Sequence, residues 1–193
     1  NTNITFAFHS PIYQNDIDVF YIEFFKEFIG SGITSMLMEE LREKRQWIYN
    51  VQIDNYTNPY GTFLIIEIAT KNKHIRDVVE NTLKILKRLS TGKFKEGYLE
   101  YVKKAYMVDH YETCLNNSYL SDFYGEQYIN QLYNIGETPV ILTFKQVADA
   151  ILNLNKYNFV SFIKKLLLFS DMKIAYQGKK EEPSLRALVL KRI

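Results

Sequence analysis

The sequence predicts an α+β domain, an antiparallel or mixed β-sheet with helices packed on one face, in the order β-α-α-β-β-α-α-α-β. Three observations carry this reading. The opening Ile4-Thr5-Phe6-Ala7-Phe8 alternates large apolar with small residues; two strand-like runs flank the turn Asn58-Pro59-Tyr60-Gly61; and apolar residues at helical spacing fill the segments between and after them. The strict βαβα alternation of a doubly wound parallel sheet is missing.

Taken in order, Ile4–His9 reads as a strand closed by Ser10-Pro11. Over 16–29, Ile17, Phe20, Tyr21, Phe24, Phe25 and Phe28 define a wide helical face, and Gly30 ends it. The stretch 32–51 begins as an amphipathic helix, with Ile33, Met36, Leu37 and Leu41 on one face, and runs through a charged turn into a strand over 48–56. A second strand over 62–70 completes a hairpin. His74–Leu89 is a helix with Lys87 and Arg88 in its last turn and Gly92 beyond. A long helical region over 95–132 is broken near Asn116-Asn117-Ser118. Thr143-Phe144-Lys145-Gln146 has the spacing of a capping box for a helix to about Leu152. Asn155 or Asn158 opens one more helix, and 171–177 alternates as a closing strand. One domain spans residues 1–178, and residues 179–193 form a polar break, Lys179-Lys180-Glu181-Glu182-Pro183, with a tail or tether.

At 193 residues the chain is long enough to bury a substantial core. Hydrophobic content of 47% against 24% charged residues is globular, and no apolar run approaches the roughly 20 residues of a membrane span, so a soluble protein is expected. A formal net charge of +2 lacks the basic surplus of a nucleic-acid binder. The single cysteine, Cys114, supports neither a disulfide nor a cysteine metal cluster and is compatible with a reducing compartment. The strand-like start at Asn1, without a leader pattern, implies a piece of a longer polypeptide.

Most routes to catalysis have no starting point. His9, His74 and His110 lie in separate elements without a second histidine at ligand spacing, and Asp109-His110 with Glu112 makes at best a weak metal site. Cys114 lacks a basic neighbour to activate it. No Ser stands in a G-x-S-x-G elbow, and no Gly-rich phosphate loop occurs. Glu39-Glu40 and Glu181-Glu182 read as solvated carboxylates. Arg42 and Tyr49 remain, a guanidinium near a helix end and a phenol at a strand start, on either side of one helix-to-strand junction. Read without further context, they suit the helix dipole and the strand.

The string Gly32-Ile33-Thr34-Ser35-Met36-Leu37, followed by Leu41-Arg42-Glu43-Lys44 and Tyr49, resembles the second-half domain of the insulinase-like (pitrilysin) zinc metallopeptidases. Tyr60-Gly61-Thr62-Phe63-Leu64-Ile65 and Ala69-Thr70 resemble the strand that follows. The order of elements agrees over nearly the whole chain, and the residues agree over 31–70.

The resemblance implies the non-metal, C-terminal half of such a peptidase. Zinc, the H-x-x-E-H motif (absent here) and bond cleavage are expected in a companion domain or subunit, so this chain alone should be inactive. Arg42 and Tyr49 match the family's Arg and Tyr that reach across an enclosed chamber to bind the peptide substrate. One departure is Trp47-Ile48, where the family places a small residue before the Tyr; a β-branched Ile resists the backbone conformations glycine permits. Lys44-Arg45 reads as a solvated turn or a patch for acidic peptide residues. The alternatives are a catalytically inactive scaffold that keeps the peptidase fold, and a peptide-binding module using a free strand edge.

Overall fold

The computed structural model describes residues 2–14, 16–30, 35–132 and 141–178, with the side chains of 130–132 outside the description. The expectations for Ile33 and for the tail 179–193 fall on residues outside it. The elements are β1 (Thr2–Ser10), α1 (Asp18–Ile29), a π-helical turn (Met38–Glu43), β2 (Ile48–Asn58), β3 (Gly61–Thr70) and a short 3-10 turn (Asn72–His74). Then come α2 (Ile75–Ser90), α3 (Tyr98–Thr113), α4 (Asn117–Leu132), α5 (Phe144–Leu152), α6 (Lys156–Leu166) and β4 (Lys173–Gln177).

The four strands form one antiparallel sheet in the order β2-β3-β1-β4. This is the expected α+β architecture. The run between β3 and β4 holds five α-helices where the compressed order counted three, because the 95–132 region divides at Asn116 and α5 and α6 are separate. Asn116 marks that division chemically: its side-chain oxygen accepts from the Ser118 backbone N–H at 2.9 Å.

Period-two patterning puts one face of the sheet inside. Ile4, Phe6 and Phe8 of β1 and Leu64, Ile66 and Ile68 of β3 are fully buried, while Asn3, Phe63 and Glu67 face out. Helices α2 and α6 pack against β1, and α1 against β2. Phe24, Phe25 and Phe28 of α1 meet Phe159 and Phe162 of α6 edge-on, with ring centroids 4.8–6.3 Å apart. Each such side chain contributes about 1.5–3 kcal/mol by leaving water.

Local signals set the helix ends. Thr143 and Gln146 form the complete capping box of α5, and Asn155 caps α6 by accepting from the Asn158 N–H. Lys165 ties α6 to the entry of α1 through Asp16 and Asp18 at 3.0 and 2.8 Å. Burial works against its ammonium, but the two carboxylates outweigh burial and hold its pKa above the usual value.

Candidate functional site

The junction between the π-helical turn and β2 is built from its backbone outward. Leu37 and Leu41 are fully buried and Met38 nearly so, which pins the inner face of the segment to the core. The Lys44 N–H reaches back five residues to the Glu39 carbonyl at 3.0 Å, the widened spacing of a π-turn. The Gln46 N–H then bonds the Arg42 carbonyl and the Trp47 N–H the Leu41 carbonyl, at 2.8 and 3.0 Å. Gln46 adopts φ 55°, a left-handed conformation that costs a side-chain-bearing residue on the order of 1–2 kcal/mol. The conformation expected to trouble Ile48 is thus taken two residues earlier, and Ile48 itself lies in the strand, buried.

Tyr49 stands in a β-bulge. Ile48 pairs with Thr70 and Asn50 with Ala69, so Tyr49 is the extra residue between consecutive rungs. It is 44% exposed, and the Lys71 ammonium lies 6.0 Å from its ring centroid. Across the junction the Arg42 side chain is half exposed, its only ion pair among the described residues a loose 3.9 Å contact with Glu43. Both side chains are thus partly open to solvent, without a hydrogen bond between them among the described residues.

The neighbouring charges are already occupied. Glu40 pairs with Lys44 at 2.7 Å and Arg45 at 2.9 Å, and Lys44 also meets Glu39 at 2.9 Å. Hydrogen bonding from Lys44, against the opposing effect of burial, holds the Glu40 carboxyl below its ordinary range. Lys44 is raised by Glu40 and Glu39 in return. Glu39 and Glu40 thus remain at the surface, as solvated carboxylates, each in an ion pair. Arg45 also lies over the Trp47 ring at 5.3 Å, and Trp47 stacks on His74 at 5.9 Å.

The three histidines serve separate places. His9 lies against Phe63, His74 against Trp47, and His110 is sandwiched by Phe144 at 3.6 Å and Tyr106 at 5.6 Å. Burial lowers the His110 pKa. Among the described residues no group of three His, Cys, Asp or Glu side chains is placed to hold a metal, so the donor set does not fit zinc. Cys114 closes α3, its thiol bonded to the Tyr111 carbonyl at 3.0 Å.

Sequence comparison gives this geometry its family. The profile of the peptidase M16 inactive domain matches residues 1–106, more than half of the chain, and the chain belongs to that family. Membership implies that the zinc site lies elsewhere. No curated protein matches. Among solved structures, the peptidase M16 inactive domain from Pseudomonas fluorescens is similar over 94% of this chain and 42% of its own, with a TM-score of 0.76 and 16% identity. An inactive peptidase domain from Bordetella parapertussis is similar over 95% of this chain and 93% of its own (TM-score 0.70, 11% identity). A chain of complex III from Candida albicans is similar over 92% of this chain and 42% of its own (TM-score 0.69, 13% identity). The chain thus spans about two fifths of the first and third of these.

Proposed function

We propose that this domain is the non-metal half of an insulinase-like zinc metalloendopeptidase. It closes the chamber and holds an extended peptide through Arg42 and Tyr49, while a companion domain or subunit carries zinc, the general base and the cleavage. The observation that supports the reading is the exposure of both donors: Arg42 on a π-turn makes only a loose 3.9 Å ion pair among the described residues and Tyr49 on a bulge is 44% exposed, while the adjacent cations Lys44 and Arg45 are paired locally. A guanidinium and a phenol aimed at a scissile carbonyl stabilise the charge that develops on its oxygen, and removing one such donor costs about 3 kcal/mol. In the complete peptidase assembly, Arg42→Ala and Tyr49→Phe should each lower turnover by about a hundredfold with unchanged folding. Unchanged cleavage in both variants refutes the assignment.

The second reading is a scaffold that retains the fold without the activity. Two observations favour weighing it: the Trp47-Ile48 departure from the family's pattern, and the likeness in fold to a chain of complex III from Candida albicans. Zinc content of the full-length protein or complex separates the two. Near-stoichiometric metal, lost with activity on chelation, supports the peptidase, and zinc-free protein supports the scaffold.

A further inference from the structure

On the helical side of the molecule, a groove of about 810 Å³, lined by neither Arg42 nor Tyr49, runs between α1, α3 and α4 to the far end of β2. That volume lies within the range of pockets that enclose a ligand of several side chains. Its apolar surfaces are mainly aromatic, with Val19 and Val147 beside the rings. Phe20 of α1 packs on Phe123 of α4 at 5.9 Å, Tyr119 stacks near Phe123 at 6.5 Å, and Tyr56 of β2, 63% exposed, stands at the strand end.

Among the described residues the same groove is lined by five carboxylates and by no Lys or Arg: Glu23 and Glu27 from α1, Asp109 from α3, and Asp122 and Glu126 from α4. Two of these pairs, Glu23/Glu27 and Asp122/Glu126, have i,i+4 spacing, which sets like charges side by side at a cost to each helix. Lys26 offsets Glu23 at 2.8 Å from the rim. Asp109, Asp122 and Glu126 have no ion-pair partner among the described residues. The field reaches the groove's phenols: burial first, then Glu23, raises the pKa of Tyr106 and of Tyr119. In a chain whose formal net charge is +2, this concentration of negative charge is local.

We infer that this groove is a second binding site, which takes an arginine-bearing polypeptide segment. A guanidinium stacks flat on aromatic rings while forking to carboxylates, and the groove offers both surfaces together; a lysine ammonium uses only the second. The occupant's charge relieves the Asp122/Glu126 pair. The site stands independently of the Arg42 and Tyr49 reading.

The test is fluorescence anisotropy with labelled hexapeptides that alternate Leu with Arg, Lys or Glu, titrated with the full protein. The arginine peptide should bind, weaken as salt is raised to about 0.3 M, and bind several-fold more tightly than the lysine peptide. The double variant Asp122→Asn/Glu126→Gln, both exposed helix positions, should lose about tenfold in affinity while its thermal midpoint is kept. No binding of the arginine peptide, equal binding of the lysine peptide, or undiminished binding in the double variant each overturns the site.

Discussion

Deleting Tyr49 should leave the sheet intact. Removing one residue from the middle of a strand ordinarily turns every side chain beyond it to the wrong face. Here the rungs on either side of Tyr49 already join consecutive partners, Thr70 and Ala69, so its loss brings Ile48 and Asn50 into an unbroken ladder. Ile48, Val51 and Ile53 all keep facing the core. The cost is limited to the contacts of one half-exposed ring, below about 1 kcal/mol. Deleting Gln52 is the informative contrast. The strand can absorb that loss only by erasing the bulge, which points Asn50 at Ile68 and turns Val51 outward. Half the burial of a valine is about 1 kcal/mol, and an amide against an apolar face costs about 1–3 kcal/mol, together about 2–4 kcal/mol. Urea unfolding followed by far-ultraviolet circular dichroism measures both. Comparable losses in the two deletions would refute the bulge and the alternation argued from it.

Two further outcomes are expected. Phe28 is fully buried and meets Phe94, Tyr98 and Phe159 within 5.3 Å, so Phe28→Ala should cost about 3–5 kcal/mol in the same unfolding assay. His110, whose pKa burial holds below the ordinary 6.5, binds its proton more readily in the unfolded chain; stability should therefore fall as pH drops below 6.5. His110→Phe should remove that part of the slope, visible as a smaller difference between thermal midpoints at pH 7 and pH 5.

Much of the fold was legible because its local signals agree with the tertiary structure. The alternation of Ile4, Phe6 and Phe8, the Thr143–Gln146 box, the Asn155 cap and the break at Asn116 all act within a few residues, and the structure uses each where the spacing put it. The bulge was harder. Ile48 and Ile53 are five apart, an odd spacing that cannot place both on one face of a regular strand, and that parity was the available sign of an inserted residue. Gln46 carried no sign at all, since its left-handed turn is imposed by the bonds that close the junction around it. For the candidate site, the sequence supplied Arg42 and Tyr49, and Glu40 and Lys44 stand at ordinary i,i+4 spacing, but the pairing of Glu40 with Arg45, five residues on, falls outside regular helical spacing. The acidic groove was invisible for a plainer reason: its carboxylates come from three helices that meet only in the folded chain.

The strand order carries a consequence for how the chain is made. β1 leaves the ribosome before the other three strands and borders β3, about sixty residues later, but its other edge waits for β4, which lies some 170 residues downstream. Between residue 70, where β3 ends, and residue 177, where β4 ends, a nascent chain holds a three-stranded sheet with a bare, Phe-rich strand at its margin. At ribosomal rates of about 5–20 residues per second that interval lasts about 5–20 s. Through those seconds the margin of β1 must be shielded by a chaperone or by the helices arriving after β3, and pairing across so long a stretch makes docking of β4 the slow, final step of folding.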